Sequence, residues 1–297
     1  MKLHHLKALL AIGESGSFTG AATALEMSQS SLSHAIAEFE RELGVSLLAR
    51  DRRGARLTEV GTRISAHARQ ALATVAAIQA EADSTRGMLS GRIRIGSIPS
   101  AAVSLVPKVV AHFSRRHPGV EIVLLEEPSQ GMQQLTDWLR SGMIDIALVE
   151  LPIADLKAVP LMADEFCLIA PARSQLATRG RISVRELASE PFIMSRYVSE
   201  RLIRRAYARH KIPLSVRFDV QDLSTLVSLV REGLGISIVP RVAFPETPPG
   251  VALLPVLPQI RRELGFAVES PERASPALAE FVRALRELSA GNRRPSN

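Results

Sequence analysis

Leu3, Leu6, Leu9 and Leu10 recur at helical spacing and predict an amphipathic helix that closes near Gly13. Ser17 is placed to cap a second helix, where Phe18 and Leu25 turn inward and Ala21, Ala22 and Ala24 allow close helix–helix approach. Ser28 is placed to cap a third, with Leu32, Ala35, Ile36, Phe39 and Leu43 on one side and Gly44 as its stop. Arg50 to Leu57 reads as a short hairpin wing around Gly54. Thr58 then opens a helix that runs to about Ser84. In it Val60, Ile64, Ala68, Ala71, Val75, Ile78 and Ala82 approach a heptad seam. Such a long helix with no neighbouring helix in sequence favours pairing with a second copy of the chain.

Gly87 to Gly91 breaks that pattern and reads as a hinge. Beyond it short β-rich runs alternate with helices. Arg92–Gly96, Val120–Leu125 and Ile144–Val149 are expected strands, with helices over Val103–Arg116 and Gln130–Ser141 between them. This βαβαβ order implies a parallel sheet. A second series starts at Phe166–Ala170 and continues through Phe192–Met194, a helix near Ser199–His210, Val216–Val220, a helix Leu223–Glu232 and Ile236–Val239. Leu264–Val268 and a last helix from Pro276 to Leu288 complete it. In α/β units small ligands bind at the carboxyl ends of the strands.

At 297 residues the chain is expected to hold two or three units, and an apolar content of 46% fills ordinary cores. The one cysteine, Cys167, excludes an intrachain disulfide and a multi-cysteine zinc site. The N-terminus lacks the apolar core of a signal peptide and no run is long enough to span a membrane, so a soluble, cytoplasmic protein is expected. The net charge of +7 is poor evidence for nucleic acid, because residues 1–57 carry seven basic and six acidic side chains. The local cluster Arg50, Arg52, Arg53 and Arg56 is better evidence.

On the third helix the side opposite the apolar stripe carries Ser30, Ser33, His34, Ala37 and Arg41. These residues are mostly short and hydrogen-bonding, which permits close approach to base edges in a DNA major groove. Gln29 and the free amides of the first turn, with Ser28 and Ser31, could hold phosphate at the helix end. Arg50, Arg52 and Arg53 would grip flanking phosphate.

The run Gly16-Ser17-Phe18, Ala21-Ala22, Leu25, Ser28-Gln29, Ser33, Ile36, Glu40, Leu43-Gly44, Leu47-Leu48, Arg50, Leu57-Thr58 and Gly61 resembles the N-terminal signature of the LysR-type transcriptional regulators. Ser30 and His34 depart from the proline, and from the arginine or glutamine, that the family often carries there. The resemblance is dense over residues 1–62 and looser to about residue 288. It implies an α/β chain built from a winged helix–turn–helix, a long linker helix and a two-lobed, periplasmic-binding-protein-like effector domain. The units would be residues 1–58, 59–90 and 91–297. Within the last, one lobe would be 91–162 plus 267–289 and the other 163–266.

Candidate effector contacts lie at strand ends and helix starts: Ser97, Pro99 and Ser100 after the first strand, Ser129 at the next helix, and Ser195, Arg196 and Tyr197 in the second lobe. The resemblance also puts contacts at Ser97, Ser100, Ser129 and Ser195. Hydroxyls, helix-end amides and Arg196 suit a small anionic effector. A two-fold dimer would match an inverted-repeat promoter site. The expected partners are double-stranded DNA, the effector, RNA polymerase and further copies of the chain, as a homodimer or homotetramer.

Other signals fail. Gly233-Leu234-Gly235 lacks a third glycine and reads as a helix stop. His112 and His117 have no carboxylate at metal-site spacing, and Glu126-Glu127 point to opposite faces of an extended chain. Cys167 reads as core and Trp138 as a packed helix residue. With no nucleophile, acid–base or metal set, neither catalysis nor a cofactor is expected. The alternatives are an α/β enzyme with a helical accessory domain, or a ligand sensor whose helical head contacts protein.

Overall fold

The computed structural model describes residues 1–51, 54–85, 89–125, 131–154, 156–195 and 198–291. Three helices open the chain: α1 (Leu3–Ser15), α2 (Phe18–Ala24) and α3 (Gln29–Leu43). Leu9, Ile12, Leu32 and Phe39 are wholly removed from solvent between them, each worth about 1.5–3 kcal/mol of transfer free energy. Phe18 and Leu25 pack only in part. The first helix does not stop at Gly13. It runs on to a left-handed Gly16 at φ 66°, and Gly13 serves another purpose: a Cβ there would lie 2.9 Å from Leu57 Cδ1.

The antiparallel hairpin β1 (Leu48–Asp51) and β2 (Gly54–Leu57) follows, pairing Leu48 with Leu57 and Arg50 with Ala55. Helix α4 (Glu59–Ser84) starts at Thr58, whose hydroxyl accepts from the Gly61 amide at 2.9 Å. Its expected seam is split. Ala68 is buried, and Val60 and Ile64 pack in part, against the core of the N-terminal helices. Ala71, Val75, Ile78 and Ala82 face solvent, with Ile78 68% exposed. The first half of the stripe therefore belongs to the chain's own domain, and the second half is not covered by the described residues.

The remaining chain forms two α/β lobes joined by continuous strands. In the first, β3 (Gly91–Ser97) lies between β4 (Val120–Leu125) and β5 (Ile146–Leu151), all parallel. Helices α5 (Pro99–Ala102), α6 (Leu105–Arg116) and α7 (Gly131–Arg140) connect them. The helix expected from Val103 begins instead at Leu105, and the short α5 before it was not expected. The strand β6 (Ala158–Pro171) is far longer than the Phe166–Ala170 run suggests, because it leaves lobe one and enters lobe two without a break.

Lobe two adds β7 (Ile182–Ser183), β8 (Phe192–Ser195), α8 (Val198–Arg209), β9 (Val216–Val220), α9 (Leu223–Arg231), β10 (Ser237–Pro240) and β11 (Val251–Leu257). Both β10 and β11 pair with β6. The expected helix stop at Gly233 is present, with φ 80° just past α9. Strand β12 (Arg261–Ala267) returns the chain, antiparallel to both β5 and β6. Leu264 and Phe266 of β12 pack in the first lobe's core. Helix α10 (Pro276–Gly291) closes the chain against α6. Among the described residues no helix is long and apolar enough to cross a membrane.

Candidate nucleic-acid interface and effector cleft

The exposed side of α3 is prepared by its cap. Ser28 Oγ accepts from the Ser31 amide at 3.1 Å and lies 3.0 Å from Ser30 Oγ and 2.7 Å from Ser31 Oγ. These contacts hold three hydroxyls at one helix end, beside amides that have no intrahelical acceptor. Ser28, Gln29, Ser30, Ser31, His34 and Arg41 are exposed, while Ser33 is half-buried. The opposite side carries Leu32, Ala35, Ile36 and Phe39 inward.

The wing is fixed to this frame at two places. Glu40 Oε1 accepts from the amides of Leu47 at 2.6 Å and Leu48 at 3.1 Å, tying the third helix to the start of β1. The Ala55 amide donates to the Gly16 carbonyl at 2.9 Å. A Cβ at Gly54 would lie 2.4 Å from that same carbonyl, so only glycine permits the approach. Arg56 is exposed on β2. Arg52, Arg53 and the side chain of Arg50, expected to grip phosphate, lie outside the described residues.

At the lobe boundary the structure assembles a polar cluster that no sequence spacing indicates. Arg262 on β12 places Nε and Nη2 2.8 Å from Asp164 Oδ2 on β6. Its Nη1 donates to Glu150 Oε2 at 3.2 Å, and Nη2 to Ser100 Oγ at 2.7 Å. The other Asp164 oxygen accepts from the Val242 amide at 2.9 Å. Phe166 covers the guanidinium, with its ring centroid 5.2 Å away. Arg262, Asp164, Glu150 and Ser100 are all buried. Burial raises the carboxyls of both Asp164 and Glu150 above their ordinary values, against the opposing pull of Arg262. Arg201, exposed on α8 of lobe two, also acts on Glu150, so this carboxylate sits between the lobes.

Of the expected effector residues, Ser97, Pro99 and Ser100 stay together at the end of β3 and the start of α5. The Ser97 hydroxyl donates to the neighbouring Ile98 carbonyl at 3.0 Å, and Ser100 is already engaged by Arg262. Ser195 is buried at the end of β8. Ser129, Arg196 and Tyr197 lie outside the described residues, as do Glu126-Glu127 and Gly87. A separate cavity of about 610 Å³ lies in lobe two, lined by Ser174, Arg179, Glu186 and the Gly233–Gly235 turn among others. It contains none of the expected effector residues. The lobe boundary has the stronger chemical case, since it gathers charged groups from several strands.

Glu150, Asp164, Arg201 and Arg262 are what sequence reasoning missed. A lone charged residue in a strand reads as solvent-facing, and the partners come from distant segments. The expectations for Cys167 and Trp138 agree with the geometry. Cys167 is buried with Sγ 3.6 Å from the Val239 carbonyl, and its thiol is pushed up to about 12 by burial. Trp138 packs against the first lobe's core.

Residues 3–62 match the family described as bacterial regulatory helix-turn-helix protein, lysR family, and residues 86–290 match the LysR substrate binding domain. The "Probable HTH-type transcriptional regulator LrrA" of Synechococcus elongatus is 34% identical, over 97% of this chain and 98% of that protein. A "Probable hydrogen peroxide-inducible genes activator" of Mycobacterium avium is 30% identical, over 95% and 93%. Among solved structures, a cysteine-to-aspartate variant of full-length OxyR from Pseudomonas aeruginosa superposes with a TM-score of 0.75 at 24% identity, covering 97% of this chain and 94% of that one.

Proposed function

This chain belongs to the LysR family of transcriptional regulators, and from that premise we propose how it reads DNA and how it is switched. It is a DNA-binding regulator that responds to a small effector. The observation that carries the DNA reading is the capped end of α3, which presents Gln29, Ser30, Ser31 and His34 beside the docked wing. In this reading α3 enters the major groove with Ser30, Ser33 and His34 nearest the bases. Ser28, Gln29, Ser31 and Arg41 meet the neighbouring backbone, and Arg50, Arg52 and Arg53 hold flanking phosphate.

The working form is a homodimer, or a pair of dimers, joined through the uncovered half of α4. Two recognition helices then meet successive turns of an inverted-repeat promoter site. The protein acts in the cytoplasm without catalysis, and contact with RNA polymerase is part of the same reading. The units are 1–58 for DNA, 59–90 for pairing and 91–297 for the effector.

The effector binds between the lobes, against Ser97, Pro99, Ser100, Ser129, Ser195, Arg196 and Tyr197. Arg262 is already shared by two carboxylates, so it offers little charge to an anion. Arg201 and Arg196 are the cations an anionic group would meet. Effector binding shifts the population of lobe arrangements, and its effect on DNA equals its difference in affinity for them. The Mycobacterium avium relative is named for hydrogen peroxide. Peroxide attack needs an accessible thiolate, and Cys167 has neither the exposure nor the acidity. The effector is therefore one that binds without covalent chemistry at cysteine.

A salt-titrated mobility shift on promoter fragments tests the DNA reading. The expected result is binding that survives competitor DNA and weakens steeply with salt. Replacing Arg52 and Arg53 with alanine should weaken binding to all fragments and flatten the salt slope, and unchanged affinity would remove their phosphate role. Ser100→Phe should abolish the effector response while DNA binding persists; a retained response would move the effector elsewhere.

A further inference from the structure

His4 and His5 open α1, and the ring of His5 is turned fully inward with a side-chain exposure of 0%. It lies 5.5 Å, centroid to centroid, from the ring of Phe39 on α3. A wholly buried imidazole normally places at least one ring nitrogen in a hydrogen bond. Among the described residues neither Nδ1 nor Nε2 makes one of good geometry. Nε2 lies 3.4 Å from Glu38 Oε2, at ion-pair distance. The His4 ring crosses edge-on, with its centroid 4.4 Å from that of His5. One donor atom from each of His4, His5 and Glu38 falls within 4.8 Å of the others.

We propose that His4, His5 and Glu38 form a binding site for a zinc-like divalent transition-metal ion, joining the start of α1 to the middle of α3. Two imidazoles and one carboxylate are a donor set that suits zinc and its neighbours and not calcium or magnesium, which take oxygen ligands. Donors bound at the usual 2.0–2.1 Å on a tetrahedral ion stand about 3.4 Å apart. The His5–Glu38 pair already has that separation, and a rotation of exposed His4 closes the third edge. Lys2 Nζ occupies only Glu38 Oε1, at 3.2 Å, which leaves Oε2 to the ion. Glu42 also faces this corner, 4.0 Å from His5 Nδ1 and paired with the N-terminal amine. Lys2 and the N-terminal amine each already pair with one of these carboxylates, so the ion binds in competition with them. Water completes the fourth position, which stays open to solvent on the His4 side.

The site eluded sequence reading because its carboxylate comes from a different helix. The ion would fasten α1 to α3 one helical turn beyond His34. Ion binding is measured without DNA, so it stands or falls separately from the DNA reading.

The test uses the full-length chain without a polyhistidine tag, stripped with chelator and titrated with zinc by calorimetry, and with cobalt by absorption. One ion per chain is expected, with the visible bands of tetrahedral cobalt and a rise in thermal midpoint on zinc addition. His4→Ala and Glu38→Gln should each weaken binding more than about tenfold. His112→Ala, on α6 of lobe one, should leave it unchanged. His4 is exposed and Glu38 half-buried, so these two variants keep the fold, whereas a change at His5 would open the core. No bound ion at equimolar zinc, or affinity indifferent to both substitutions, would overturn the proposal.

Discussion

Arg262 and Asp164 face each other across neighbouring strands where the chain changes lobes, their Cα atoms in register and Nε 2.8 Å from Oδ2. Both strands run through the boundary, so this pair lies where the two lobes join. A buried guanidinium is costly to dehydrate, and Glu150, Ser100 and the Phe166 ring complete its surroundings. The result is a junction whose geometry is specified by charge and hydrogen bonds.

Arg262→Met should therefore destabilise the chain by about 3–5 kcal/mol, because it strands two buried carboxylates without their cation. Urea unfolding of the full chain measures this. A loss below about 1 kcal/mol would mean that the carboxylates relax by taking protons or water.

Glu150 gives a pH signature. Burial pushes its carboxyl above the ordinary value of 4.5, so the folded chain keeps this proton to a higher pH than the unfolded chain does. Its contribution to stability then falls as pH rises from 4.5 to the raised folded value, and is level above it. The unfolding free energy of wild type minus that of Glu150→Gln should follow the same course. A difference that grows with pH would reverse the assignment.

Glu40 joins recognition helix to wing through two backbone amides. Glu40→Ala should cost about 2 kcal/mol by leaving half-buried donors unpaired. Because the wing would lose its anchor, DNA affinity should fall as well. Thermal unfolding and a mobility shift check the two effects separately, and an intact wing would appear as unchanged affinity.

Ile78 is 68% exposed on α4 and Val75 42%. Ile78→Asp should leave the protomer's stability within about 0.5 kcal/mol, as exposed substitutions do, while shifting the assembly toward monomer. Sedimentation velocity distinguishes the outcomes. A dimer that persists unchanged would place the pairing surface elsewhere.

The N-terminal unit was legible because its signals are local. Ser17, Ser28 and Thr58 cap the helices that follow them, and each cap is a bond between residues three apart. Alternation and helical spacing likewise located most strands and helices of the lobes. The misses are local signals with more than one meaning. Gly13 could be a helix stop, but Leu57 needs the space.

By itself, then, the sequence determined most helices and strands, the caps of α2, α3 and α4 and the polar side of α3, since all of these depend on neighbours within a turn or two of the chain. Tertiary structure alone decided which half of the α4 stripe is covered, where β12 returns, and that Ser100, Glu150, Asp164 and Arg262 converge. It also brought His4 and His5 to Glu38. The physical reason is that the partner of a side chain, apolar on α4 or charged at the lobe boundary, is chosen by packing between segments far apart in the chain, and a charged residue carries no periodic mark of burial.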